Sequence, residues 1–181
     1  ISHPGRVKGL VLRGIFTLRR QELLWFYQRG ADALFPDAFE PYLAVIPKAE
    51  RDDLVSAYYR RLTSRSTATR LRAAKAWSRW EAATSHLLVD QGQLDAFGAD
   101  AFALAFARIE CHYFVHRGFF PTENYLLDNV DKIRHIPGVI VQGRYDVVCP
   151  METAWALHRR WPEAELVIVP DAGHAAFEPG T

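Results

Sequence analysis

The chain has 181 residues, 49 % of them apolar, enough to bury the core of one domain or one and a fraction. Twenty-two Lys and Arg against twenty-one Asp and Glu leave a formal charge of +1, which excludes a polyelectrolyte of the kind that coats nucleic acid. No stretch reaches the roughly 18 uninterrupted apolar residues of a membrane span, and an aromatic content of 13 % with five Trp suits deep pockets as well as cores.

Taken in order, residues 7–12 (VKGLVL), bounded by Pro4-Gly5 and Gly14, read as a buried strand. Helical patterns follow over 20–29, ending at Gly30, and from Pro36-Asp37 to a stop before Pro47. Residues 48–62, 67–88 and 100–117 continue the helical texture, the last closing on Gly118, and 126–135 form a short helix broken by Pro137-Gly138. The period then changes. Residues 139–141 (VIV) form a compact strand ending at Gly143, 153–161 a helix, and Glu165–Val169 (ELVIV) a second strand cut off by Pro170. Strand, helix and strand with short connections predict a βαβ unit, hence a parallel sheet with a right-handed crossover. The fold class is therefore α/β, one sheet interrupted by a helical insertion of about a hundred residues.

The two cysteines, Cys111 and Cys149, form neither a disulfide framework nor a CxxC pair, which fits a reducing, cytoplasmic setting. The start on Ile1 rather than Met, and the stop at Thr181 without a closing element, lead us to expect an internal piece of a longer protein.

In open α/β sheets reactive groups gather on loops beyond the carboxyl ends of the strands. Two such loops carry chemistry, Gln142-Gly143-Arg144-Tyr145-Asp146 and Asp171-Ala172-Gly173-His174. An acid after one strand and a His after the next can lie side by side, forming the acid–base half of a nucleophilic triad. The plainer alternative is that Asp146 caps the following helix and His174 is an ordinary surface residue. Asp171 competes as the acid, although three residues from His174 it suits the turn better.

The segments G-R-Y-D-V-V-C-P and D-A-G-H-A-A-F-E-P resemble the C-terminal part of an α/β-hydrolase, and H-P-G-R-V-K-G-L-V-L-R-G-I-F resembles the strand after its nucleophile helix. The helical section is more specific. R-R-Q-E-L-L-W-F-Y-Q-R-G-A, F-P-D-A-F-E-P-Y, W-S-R-W-E and A-R-I-E-C-H-Y-F resemble the cap of proline iminopeptidases. The resemblance covers essentially the whole chain. It implies a partial α/β-hydrolase sheet interrupted by an all-helical cap, with residues 1–15 and 126–181 in the hydrolase domain and 16–125 in the cap. It further implies a Ser–His–Asp peptidase that releases N-terminal proline, with Asp146 as the triad acid and His174 as the general base. Glu81 and Glu110 match the cap glutamates that receive the substrate's charged amino end. Phe16, Tyr27 and Cys149 resemble walls of the pyrrolidine pocket, and Arg13 lies close to it.

The helix periodicity gives the glutamates a physical reading of their own. Glu110 shares a face with Phe106, Tyr113 and Phe114, and Glu81 with Trp77. A carboxylate on an aromatic face is costly unless paired, either by a bound ammonium or permanently by an Arg such as Arg79 or Arg108. The chain departs from the family pattern where Cys111 stands in place of the usual Asn and Ala175 in place of the usual Ser. Gly-x-Ser-x-Gly occurs nowhere in the 181 residues, and in this fold the nucleophile precedes the acid and the His. We therefore expect the nucleophile upstream of Ile1 and no catalysis by this stretch alone.

Other signals in the chain are weaker. His112 and His116 have a zinc-compatible spacing but lack the Glu of H-E-x-x-H, so no metal is assigned. The run Arg60, Arg61, Arg65, Arg70, Arg72, Lys75, Arg79 contains no acid, yet such faces usually snorkel over apolar neighbours, and no nucleic-acid partner is assigned. No glycine-rich loop supports a nucleotide cofactor. Besides the peptidase, two alternatives stand: another capped hydrolase such as an esterase or epoxide hydrolase, and a shortened, non-catalytic binding protein.

Overall fold

The structure, a computed structural model, describes residues 1–88, 92 and 96–181. In chain order its strands and α-helices are β1 (Leu10–Arg13), α1 (Arg20–Tyr27), α2 (Pro36–Ala44), α3 (Leu54–Leu62), α4 (Thr67–Ser85), α5 (Asp100–Val115), α6 (Tyr125–Asp128), β2 (Gly138–Gly143), α7 (Met151–Arg160) and β3 (Glu165–Val169). The chain divides into two compact units.

The first unit comprises Ile1–Glu22, Ser85–Leu87 and Phe120–Thr181. Its sheet is parallel throughout, in the order β1-β2-β3, with Leu10 opposite Gly138 and Val139 opposite Glu165. The βαβ unit expected from the sequence is present as β2-α7-β3. Ile140 is fully buried in β2 and packs with Ile15, Leu127, Val130, Ile133, Ile136, Ala154, Leu157 and Trp161. Gly138 is required beneath Trp161, since a Cβ there would meet the indole at 2.4 Å.

The second unit comprises Leu23–Thr84 and Leu88–Phe119. It is built on aromatic residues: Phe26, Tyr42, Tyr58, Trp77 and Trp80 are each at most 2 % exposed. Their polar atoms are satisfied as burial demands. The Tyr58 hydroxyl donates to Tyr42 O at 2.6 Å and Trp80 Nε1 to Phe26 O at 3.2 Å. Tyr42 stacks on Tyr58 with centroids 4.5 Å apart.

Several boundaries differ from the sequence reading, each for a local reason. The first strand is shorter than 7–12 and is not buried on both faces, because Pro4–Arg6 is a 3₁₀ turn and Val11 is 79 % exposed. Among the described residues β1 pairs with β2 alone. The helix expected over 48–62 breaks into a 3₁₀ turn, Lys48–Glu50, and α3, where the Asp53 carboxylate caps the new start by accepting from Ser56 N–H at 3.1 Å. The helix expected over 126–135 stops at Asp128, and Asn129 Nδ2 donates back to Tyr125 O at 2.8 Å. The one expected over 67–88 ends at Ser85, whose carbonyl accepts from two distant N–H groups described below. Among the described residues no helix is long and apolar enough to cross a membrane.

Candidate active site

Asp146 and His174 stand on loops beyond the carboxyl ends of the neighbouring strands β2 and β3. The two loops are tied by their backbones: Arg144 N–H donates to Val169 O at 2.8 Å and Tyr145 N–H to Ala172 O at 3.0 Å. Gly143 permits this approach, since a Cβ there would lie 2.0 Å from the Gly173 carbonyl oxygen. His174 Nδ1 consequently lies 3.0 Å from Asp146 Oδ2 and 3.2 Å from Oδ1. The Asp146 side chain is fully buried, whereas that of His174 keeps 23 % of its surface exposed.

Asp146 is fixed by further donors. Cys149 N–H donates to Oδ1 at 2.8 Å and Gln142 Nε2 to Oδ2 at 2.9 Å. Gln142 is itself fully buried, and Nε2 also donates to Cys149 O while Oε1 accepts from Ile15 N–H. The alternative role for Asp146 is not realised, because Pro150 occupies the N-cap of α7 and no side chain caps that helix. Asp171, the competing acid, is exposed in the turn after β3. An imidazole with its proton on Nδ1 donates to such an acid and leaves the Nε2 lone pair to accept a proton.

The ring also rests on backbone. Gly14 has φ +56°, and a Cβ there would come within 2.9 Å of His174 Cε1. Arg13, expected near a substrate pocket, directs its guanidinium to the His174 carbonyl oxygen. Cys149 is buried, and its backbone N–H and C=O both serve the Asp146 network. Phe16 is half-buried between Ile15 and Thr17, whose hydroxyl donates to the buried Glu22 at 2.9 Å.

Within the second unit, Glu81 and Glu110 gather around two aromatic donors. The Tyr27 hydroxyl donates to Glu81 Oε1, and Trp77 Nε1 donates to Glu110 Oε2 at 2.7 Å. Tyr27 stacks on Trp77 at 4.4 Å and lies 5.2 Å from Phe114. Loss of water raises the Glu81 carboxyl well above its usual range, and the neighbouring Glu110 charge raises it further. Glu110 is likewise pushed up to about 7 by desolvation, against the Trp77 and Tyr27 hydrogen bonds that lower it. Both carboxyls are thus held in surroundings that favour a proton, or a cation in its place. Arg79 and Arg108, the candidate permanent partners, are both exposed.

The remaining motifs are occupied locally. Arg60 and Arg61 pair with Glu50 at 2.6 and 2.9 Å, Arg70 Nη1 donates to Ser64 O at 2.8 Å, and Lys75 pairs with Asp100 at 2.5 Å. The rings of His112 and His116 lie 4.3 Å apart, with His116 Nδ1 donating to His112 O at 2.7 Å. Among the described residues no group of three or more His, Cys, Asp or Glu could hold a metal ion.

Sequence reasoning missed three participants. Gln142 carried a signal, being a lone polar residue in an apolar strand. Trp77, which the periodicity places on the face of Glu81, gives its indole N–H to Glu110. Ser85 contributes a main-chain carbonyl, which no side-chain pattern could mark.

Several known proteins are similar to this chain. Over 179 residues the chain is 64 % identical to the "Probable proline iminopeptidase" of Leptolyngbya boryana, covering 99 % of this chain and 56 % of that protein. It is 62 % identical over 178 residues to the proline iminopeptidase of Xylella fastidiosa strain 9a5c, with 98 % and 57 % covered. To the proline iminopeptidase of Arabidopsis thaliana it is 57 % identical over 180 residues, with 99 % and 47 % covered. The chain therefore spans about half the length of these relatives. The profile of the alpha/beta hydrolase fold matches residues 1–181. With its parallel strands, its acid and histidine beyond their carboxyl ends, and a helical insertion between β1 and β2, the chain belongs to the alpha/beta hydrolase fold family.

Proposed function

We propose that the protein carrying this chain is a serine exopeptidase that releases N-terminal proline from peptides in a reducing, cytoplasmic setting. The observation that carries the reading is the Asp146–His174 contact of 3.0 Å, taken with relatives 57–64 % identical that are named proline iminopeptidases. His174 Nε2 takes the proton of the attacking serine hydroxyl and later delivers it to the leaving amine, while Asp146 holds the ring tautomer and stabilises the imidazolium. The nucleophile is assigned to the length of the relatives that this chain does not span, since Gly-x-Ser-x-Gly is absent from the 181 residues. The 181 residues alone are therefore inactive in this reading.

Glu81 and Glu110 are assigned to the substrate's amino end. Both carboxyls are raised by burial, and Glu81 further by the neighbouring Glu110 charge; a secondary ammonium suits them because it brings positive charge and two N–H donors. Tyr27, Phe16, Cys149 and Arg13 are likewise assigned to substrate binding, and residues 16–125 to the cap.

The test compares a proline peptide with a free amino end, its N-acetylated form and a neutral ester. The proposal expects rapid release of free proline and poor turnover of the blocked peptide. Preference for the ester identifies another capped hydrolase. In the complete protein Glu110→Gln should lower kcat/KM by about 10- to 100-fold, chiefly through KM, as expected for one lost charge-assisted hydrogen bond.

A further inference from the structure

The proton-transfer reading makes no use of Glu178, yet its carboxylate is buried, with 8 % of the residue exposed. Its Oε1 accepts Gly173 N–H at 2.9 Å and its Oε2 accepts Leu87 N–H at 3.0 Å. A buried carboxylate is tolerated when both oxygens find donors, and such charge-assisted bonds are stronger than neutral ones. Here each oxygen holds a main-chain group of a different segment. Gly173 directly precedes His174, and Leu87 lies just beyond the end of α4.

The same two segments meet again one step along. His174 N–H and Ala175 N–H both donate to Ser85 O, at 2.9 and 2.8 Å, while the Arg13 guanidinium donates to His174 O. The carbonyl of Gly173 packs against Gly143 so closely that no side chain fits. The peptide units on either side of His174 are therefore held by Ser85 and Arg13, and the unit before them by Glu178. Of these, Glu178 alone holds two main-chain N–H donors with one side chain.

We propose that Glu178 is a positioning residue for His174: by tying Gly173 N–H to Leu87 N–H it sets the backbone from which the imidazole reaches Asp146. The ring then keeps Nδ1–H on Asp146 and presents Nε2 for proton transfer. Glu178 touches no reacting atom and acts through His174. The inference rests on the reading of His174 as the general base. Its test reads ring geometry rather than turnover, so the two can fail separately.

Nitrogen NMR of the His174 ring, at a pH where the ring is neutral, gives the ratio of Nδ1–H to Nε2–H tautomers. It is recorded on the protein carrying this chain and on the variants Glu178→Ala, Glu178→Gln and Leu157→Ala. The last opens the core beside Ile140 and serves as a control for lost stability alone. The proposal expects the ratio to fall about five-fold in Glu178→Ala, the factor that loss of one net hydrogen bond implies. Glu178→Gln keeps one acceptor oxygen and should show a smaller fall, and Leu157→Ala none. An unchanged ratio in Glu178→Ala, or an equal fall in Leu157→Ala, overturns the proposal. If Glu178→Ala does not fold, Glu178→Gln decides by itself, and an unchanged ratio there overturns the proposal too.

Discussion

At the residue scale, burial changes what a carboxyl is worth. Glu110 is raised from 4.5 to about 7 by desolvation, so the folded state binds its proton more tightly than the unfolded chain. A raised carboxyl contributes most at low pH. Its contribution falls as pH rises from the unfolded value of 4.5 to the folded value of about 7, then stays constant. The full swing is at most about 3 kcal/mol for a shift of this size. Glu110→Gln keeps an acceptor for the Trp77 indole and removes the titration. Its melting temperature relative to the parent should therefore rise between pH 5 and pH 8, by about 2–4 °C for each kcal/mol in a chain of this length. Thermal melts at the two pH values check this, and an identical difference at both contradicts the burial assignment. Gly14→Ala should be costly for another reason. The new Cβ would press on the His174 ring at 2.9 Å and sit at φ +56°, which amounts to about 1–2 kcal/mol of backbone strain before any clash. Denaturant unfolding measures it.

Elements show where sequence and fold part company. β3 and the βαβ unit were legible because apolar runs punctuated by Gly and Pro are local signals. The end of α4 was not, because Ser85 stops the helix by giving its carbonyl to His174 and Ala175, about ninety residues further on. The start of α3 was concealed by a run of good helix formers, although Asp53 marks it once the cap is seen. The same contrast holds for the candidate site. Asp146 and His174 could be chosen from the sequence because strand ends and glycines flag them. Gln142 and Glu178 act through buried hydrogen bonds to groups that only the fold brings near. Two substitutions probe these local arrangements. Asp53→Ala should remove the cap of α3 and cost about 1 kcal/mol, whereas Asp53→Asn, which can still accept from Ser56 N–H, should cost little. Gly138→Ala should force a methyl into the Trp161 indole at 2.4 Å and cost about 1–3 kcal/mol by overpacking. Equilibrium unfolding of the variants distinguishes these outcomes from neutrality.

On the scale of the whole molecule, chemistry is divided between two compact units. The first carries the Asp146–His174 pair and the loops that fix it, and the second carries Glu81, Glu110, Tyr27 and Trp77 in an aromatic core. Under the proposed function, bond cleavage falls to the first unit and recognition of a charged amino end to the second. The account stands or falls on whether this acid–base pair serves a serine. The most direct measurement is reaction of the protein, as its source makes it, with a fluorophosphonate, followed by peptide mass spectrometry. The account predicts one adduct, on a serine flanked as Gly-x-Ser-x-Gly outside the 181 residues, and its loss when His174 is replaced by Ala. Absence of any adduct, or an adduct on Ser56, Ser78 or another serine within the chain, would contradict it.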